Sequence, residues 1–225
     1  MQYTYYGHSC FSIETNGKKL LFDPFISPNE LAKEIDSQSI EADYILVSHG
    51  HSDHIADCVS IAKRTGALVI SNWEIADWLK GQGVKNILPM NTGGKKNFDF
   101  GFVKCVVAQH SSALPDGSYG GNPMGFVLKG EKTIYYSGDT ALTLDMQLIP
   151  QISPVQYCIF PIGDHFTMGY EDAARAAHMI QCSEVIGVHY NTFPYIEIDV
   201  EKASAYFEKN GLHLHLPAIG SSIEL

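Results

Sequence analysis

Short runs of the two-residue period typical of half-buried strands open the chain. Residues 3–6, 11–14 and 19–22 read as β-strands, with Asn16-Gly17 as a hairpin turn between the last two. Residues 43–47 form an apolar run of the buried-strand kind that ends directly at Ser48-His49. Beyond it, Ile55, Cys58, Val59 and Ala62 recur at helical spacing, and Gly66 supplies a stop. A strand at 67–70, a helix at 73–79 and a strand at 86–88 follow.

The turn at 91–94 opens the second half. Residues 102–108 form a long β run that ends near His110, and the stretch 111–123, rich in Gly, Pro and Ser, is predicted as the longest irregular loop. Residues 133–136 lead into Ser137-Gly138-Asp139-Thr140, and 156–161 lead into Gly163-Asp164-His165. A helix at 170–182 precedes a strand at 184–188 that ends at His189. Strands grouped in both halves, with helices between them, predict two sheets packed face to face with helices outside. Alternation alone would equally fit a doubly wound sheet.

Composition narrows the class. A chain of 225 residues with 45% apolar content suits a single globular domain over 1–225. A formal net charge of −10 opposes unaided nucleic-acid binding. The five cysteines are scattered and form no C-x-x-C pair, as expected of reduced thiols. The first residues lack the charged and apolar regions of a secretory leader, and no apolar run is long enough to span a bilayer. A cytoplasmic protein is the expectation.

The placement of histidine and aspartate carries the chemistry. His49, His110, Asp139 and His189 each lie just after a predicted apolar strand, so one sheet edge could bring them together. Imidazole nitrogen and carboxylate oxygen are the donors that zinc and similar cations take at ~2.0–2.2 Å. The run His49-Gly50-His51-Ser52-Asp53-His54 puts four donors into six positions, too crowded for an apolar core. A tight loop allows His49 and His51 to face one cation while Asp53 and His54 face another.

This run matches the H-x-H-x-D-H signature, and the chain thereby resembles the metallo-β-lactamase superfamily. The resemblance continues in chain order over nearly the whole length. Asp23, in Leu20-Leu21-Phe22-Asp23-Pro24, looks like the family's early acidic residue behind the ligands. His110 looks like the third ligand of the first metal, Asp139 like the carboxylate shared by both, and His189 like the last ligand of the second. Gly7-His8-Ser9, Gly120-Gly121-Asn122-Pro123 and Phe166-Thr167-Met168-Gly169 are similar to small bacterial metal-dependent hydrolases. That branch lies near the ascorbate-6-phosphate lactonases and the N-acyl-phosphatidylethanolamine phospholipase D group.

The resemblance implies an α+β fold, a four-layer αββα sandwich, with the site at one edge of the sheets. It also implies two divalent metal ions, zinc first, with manganese, iron and nickel as alternatives. Hydroxide held between them would hydrolyse a small, anionic ester, lactone or phosphodiester. Asp139 would bridge the metals, and Asp53 would ligate and orient the nucleophile. Asp23 would fix the far ring nitrogen of a ligand histidine. A homo-oligomer is a weaker implication of the same branch.

Other residues divide by position. His8 follows a strand and a glycine and is expected to support the ligands or contact substrate. Asp164 or His165 is expected to make a polar substrate contact, as are Tyr119 and Asn122 in the glycine-rich loop. His178, His213 and His215 are expected to be structural or solvated, and Trp73 and Trp78 to be packing residues. Two other readings compete: a nuclease of the same superfamily, and a metal-binding module without turnover. The acidity and the lack of a Lys/Arg-rich run oppose the first, and a complete ligand set opposes the second.

Overall fold

Asn16 and Gly17 both take left-handed backbone angles (φ 49° and 72°), as a two-residue type I′ turn requires. They close a hairpin in which Thr15 faces Lys18 and Ile13 faces Leu20. The computed structural model describes residues 1–225. Its first half runs β1 (Gln2–Gly7), β2 (Cys10–Thr15), β3 (Lys18–Phe22), β4 (Tyr44–Leu46), α1 (Ser52–Ile55) and α2 (Cys58–Thr65). Then come β5 (Leu68–Ser71), α3 (Trp73–Gly81), β6 (Ile87–Pro89), β7 (Lys95–Phe98) and β8 (Gly101–Val107). The second half holds β9 (Met124–Lys129), β10 (Thr133–Tyr136), α4 (Ile149–Ile152), β11 (Tyr157–Pro161) and α5 (Tyr170–Ile180). It finishes with β12 (Glu184–Val188), α6 (Val200–Lys209), β13 (His213–His215) and β14 (Ser222–Glu224).

Two seven-stranded sheets result, ordered β14-β1-β2-β3-β4-β5-β6 and β13-β12-β11-β10-β9-β8-β7. Strand alternation divides each sheet's side chains between two faces. Phe22, Leu46 and Ile70 point inward to meet Phe126, Tyr136 and Ile159 of the other sheet. Leu21, Ile45 and Val69 point outward and pack under Ile61 of α2 and Ile75 and Leu79 of α3. On the opposite outer face, Val127, Tyr135 and Phe160 meet Ala173 and Ala177 of α5 and Phe207 of α6. The protein is therefore the expected α+β sandwich with αββα layers, and a single doubly wound sheet is excluded.

Strand direction positions the site. β3, β4, β5 and β6 are parallel to one another, and β1 joins that direction because both β1 and β3 run antiparallel to β2. In the other sheet β8, β10, β11, β12 and β13 share one direction, β8 and β10 both being antiparallel to β9. All these strands deliver their carboxyl ends to one rim of their sheet.

Five elements lie outside the expectations: β7, β9, α4, α6 and β14. In β9 every residue from Met124 to Leu128 is buried, so the polar alternation that marks a half-buried strand is missing. The helix expected from Ile55 starts earlier and comes in two pieces. Between them Asp57 turns its carboxylate to the amides of Ile26 and Ser27 at 2.6 and 2.9 Å. No helix is long and apolar enough to cross a membrane, and all five cysteines are buried and unpaired.

Phe22 stacks on Phe11 (centroids 4.5 Å apart) and meets Tyr136 and Phe126 edge-on at 5.8 and 6.3 Å. Phe22→Ala should therefore cost about 3–5 kcal/mol of stability. A lowered denaturant midpoint with an unchanged m-value is the expected readout.

Candidate metal centre

Six polar residues of the site stand just past the carboxyl end of one of those co-directional strands: His8 after β1, Asp23 after β3, His49 after β4, His110 after β8, Asp139 after β10 and His189 after β12. Several are aimed inward by left-handed backbone, with φ of 55° at His8, 40° at Asp23 and 56° at His189. Gly138 is also left-handed (φ 62°). A Cβ there would lie 2.9 Å from the Met124 carbonyl oxygen, so only glycine lets the chain turn Asp139 into the centre.

Asp23 is fully buried and organises the centre from behind. Its Oδ1 accepts from the Ser48 amide (2.7 Å), and its Oδ2 accepts from Ser48 Oγ (2.6 Å), His54 Nδ1 (2.9 Å) and Tyr136 Oη (2.5 Å). A carboxylate only accepts, so His54 carries its proton on Nδ1 and turns a bare Nε2 forward. Ser48 spends its hydrogen on Asp23, so its oxygen accepts from His49 Nδ1 at 3.0 Å, and His49 Nε2 is bare as well. One carboxylate thus sets the tautomer of two imidazoles, one in each half of the centre.

The forward atoms form two neighbouring donor groups. His49, His51 and His110 make one, and Asp53, His54 and His189, with His8, make the other. Asp139 lies between them, its Oδ2 at 2.9 Å from His189 Nε2, 3.2 Å from His54 Nε2, 3.7 Å from His110 Nε2 and 3.9 Å from His49 Nε2. Donors sharing one cation at ~2.1 Å stand about 3.0–3.4 Å apart when adjacent, and these separations fall close to that. His54 Nε2, Asp139 Oδ1 and His189 Nδ1 are buried without a hydrogen-bond partner. The first of these, His54 Nε2, belongs to the forward group, where a bound cation would satisfy it. The residues present fit divalent metal.

The electrostatics agree. Burial lowers His49 well below the ordinary imidazole pKa, and neighbouring His54 adds to the effect. Burial also lowers His51 and His110 and, with His189 beside it, brings His8 down to about 3. For Asp139 and Asp53 burial works against the charge. The surrounding imidazoles outweigh it and hold both carboxyls below the usual range. Around His54 burial is outweighed in turn by Asp139 and Asp53, which hold that ring well above the usual imidazole value. The two carboxylates and the other, neutral imidazoles form a field that attracts a cation, and a cation bound at His54 Nε2 would replace the second proton that the carboxylates otherwise draw there.

The other expected residues lie apart. Asp164 and His165 make no hydrogen bond or ion pair with the ligand side chains. They line a neighbouring cavity of about 740 Å³, where His165 stacks on Tyr195 at 5.1 Å. Tyr119 donates to Asn122 Oδ1 at 3.1 Å, and both border a smaller cavity with Glu74 and Asn91. His178 is exposed, and His213 and His215 each bond Glu184 at 2.7 Å. Trp78 packs against the helical layer, but Trp73 is 62% exposed and is not a packing residue. At the first position of α3 it lies off the face that carries Ile75, Ala76 and Leu79. Ser48, Tyr136 and Thr192 escaped the sequence reading. Ser48 alone had a signal, its place between strand and ligand run.

Comparison with known proteins agrees with this centre. A family model described as "Beta-lactamase superfamily domain" matches residues 2–189, which include every one of these donors. A UPF0173 metal-dependent hydrolase of Methylacidiphilum infernorum is 49% identical over 226 residues, covering 100% of both chains. The chain belongs to the UPF0173 metal-dependent hydrolase family of the metallo-β-lactamase superfamily. Among solved structures it is similar to Igni18, a metallo hydrolase from Ignicoccus hospitalis, at 32% identity and TM-score 0.89 over 99% of this chain and 97% of that one. It also shares its fold with an isothiocyanate hydrolase from Delia radicum gut bacteria, at 19% identity and TM-score 0.78 over 100% and 99% of the two chains.

Asp23→Ala should weaken metal binding roughly 10–100-fold, because both His49 and His54 lose the partner that fixes them. Metal content after dialysis against a weak chelator measures it. His213→Ala should leave metal content unchanged.

Proposed function

We propose that this family member is a two-cation hydrolase of small esters, lactones or phosphodiesters. The reading is carried by the position of Asp139 Oδ2, within 3.9 Å of imidazole nitrogens from both donor groups. His49, His51 and His110 would hold one ion and Asp53, His54 and His189 the other, with Asp139 serving both. Bound divalent ions supply a Lewis acid for the substrate oxygen and lower the pKa of a water from 15.7 towards about 7. Zinc, manganese, iron and nickel all accept such mixed donors.

The chain's own groups divide the remaining work. Asp139 is nearly enclosed, its side chain 3% exposed, and serves as an anchor. Asp53 is 28% exposed and is the carboxylate able to accept a hydrogen bond from an attacking water and so orient it. His110, 13% exposed, borders the same opening.

The surroundings narrow the substrate. Both arginines are engaged elsewhere, Arg64 with Glu41 and Arg175 with Asp172. The 740 Å³ cavity presents Asp164, Glu171, Asp172, Glu197 and Asp199 against a single lysine, Lys202. Lys202 is itself paired with Asp199 at 3.3 Å, so a strongly anionic substrate would find no free cationic side chain to hold it, and a neutral or singly charged one fits better than the anionic class first expected. The same acidity disfavours a nuclease. Buried, unpaired thiols suit a reducing compartment and support a cytoplasmic setting.

Protein stripped by chelator and reloaded with zinc or manganese should hydrolyse one class in a panel of lactones, thioesters, isothiocyanates and bis(p-nitrophenyl) phosphate. Asp139→Ala should fall to background with an unchanged circular dichroism spectrum. Inactivity on the whole panel with cleavage of RNA would move the reading to the nuclease.

A further inference from the structure

His8 carries the marks of a ligand rather than of a supporting residue. It is 1% exposed, and its Nε2 lies 3.0 Å from Asp53 Oδ2. Its Nδ1 lies 3.0 Å from Thr192 Oγ1, which in turn lies 3.4 Å from the Tyr190 carbonyl oxygen. Thr192 O–H donates to the Tyr190 carbonyl, and its oxygen can then accept from His8 Nδ1–H. In that tautomer His8 Nε2 and Asp53 Oδ2 face each other as two lone pairs 3.0 Å apart, an arrangement that calls for a cation between them; with no cation, Nε2 donates to the carboxylate instead. His49 and His54 show the same pattern, the far nitrogen tied to an oxygen and the near one turned into the cluster.

The backbone enforces this placement. Gly7 and His8 are both left-handed, at φ 104° and 55°. A Cβ on Gly7 would fall 2.8 Å from Asn29 Nδ2. The His8 carbonyl accepts from the His189 amide at 2.9 Å, and the two rings lie 4.1 Å apart. Tyr5 Oη donates to the same carbonyl at 2.9 Å. A residue from the first sheet is therefore locked to a ligand of the second.

We propose that His8 is a fifth protein donor to the second cation, beside Asp53, His54, His189 and Asp139. The inference rests on the two-cation reading above. Bonds of ~2.1 Å to an octahedral ion place neighbouring donors about 3.0 Å apart and opposite donors about 4.2 Å apart. The separations here are 3.0 Å (His8 to Asp53), 2.9 Å (His189 to Asp139), 3.2 Å (His54 to Asp139), and 3.8 and 3.9 Å (His54 and His189 to Asp53). Five protein donors exceed the four of tetrahedral zinc and leave one place for water or substrate. The second position thereby suits manganese, iron, cobalt or nickel, and the first, with its three histidines, suits zinc.

Manganese titration of metal-free protein, followed by electron paramagnetic resonance, separates the cases. The wild type should take up two equivalents. His8→Phe should bind one of them at least about 10-fold more weakly and leave the other unchanged. Anomalous diffraction from manganese-loaded wild-type crystals should place one ion in bonding contact with His8 Nε2, an answer that needs no variant. Two equivalents bound equally well by His8→Phe, or an ion whose contacts omit His8, would overturn the assignment while leaving the two-cation reading intact. Uptake of fewer than two divalent ions in all by the wild type, with zinc offered as well as manganese, would overturn both.

Discussion

The buried carboxylate of Asp23 is the constraint on which the centre depends. An enclosed charge is costly unless its lone pairs are filled, and here four donors fill them, from Ser48, His54 and Tyr136. Filling them dictates which nitrogen of His49 and of His54 faces forward. Tyr136 reaches Asp23 from the opposite sheet, so the same oxygen that orders the ligands also joins the two layers. Burial and the adjacent carboxylate push the Tyr136 phenol up, which keeps its hydrogen available to donate.

Strand direction does the rest of the gathering. Because the strands that end at ligands run the same way within each sheet, donors far apart in sequence arrive at one rim without long excursions of the chain. The turns that aim them inward use left-handed backbone at Asp23, His8 and His189, none of which is glycine. Such conformations cost on the order of 1–3 kcal/mol each and persist where the surroundings over-determine them. At Asp23 and His8 the over-determination is visible as hydrogen bonds on both backbone and side chain.

Much of this was legible in the sequence because the informative residues interrupt apolar runs. A strand such as 43–47 followed by Ser48-His49 announces both the element and what it carries. Elements with no contrast were invisible: β9 is buried throughout, and α6 buries only Ala203 and Phe207. Tyr136 and Thr192 could not be recognised because their roles depend on which side chain sits opposite across a fold not yet formed. Asp164, His165, Tyr119 and Asn122 stand apart from the donors for one reason. Chain proximity to a ligand puts a residue on the right rim, but the loop's own hydrogen bonds decide which way it faces.

The centre draws donors from both sheets, the 49–54 run and His8 from one, His110, Asp139 and His189 from the other. At the opposite end the layers are stitched by the β2–β3 turn, where Asn16 Nδ2 donates to the Phe100 carbonyl (2.9 Å) and the Asn16 amide to Glu131 (3.0 Å). One end of the sandwich is thus fastened by hydrogen bonds alone, and at the other the Tyr136–Asp23 and His189–His8 bonds stand beside donors from both layers that a shared cation would tie together. Occupancy of the centre would consequently be a mechanical property as well as a chemical one: it would add a clasp at the mouth of the two layers to the bonds already there.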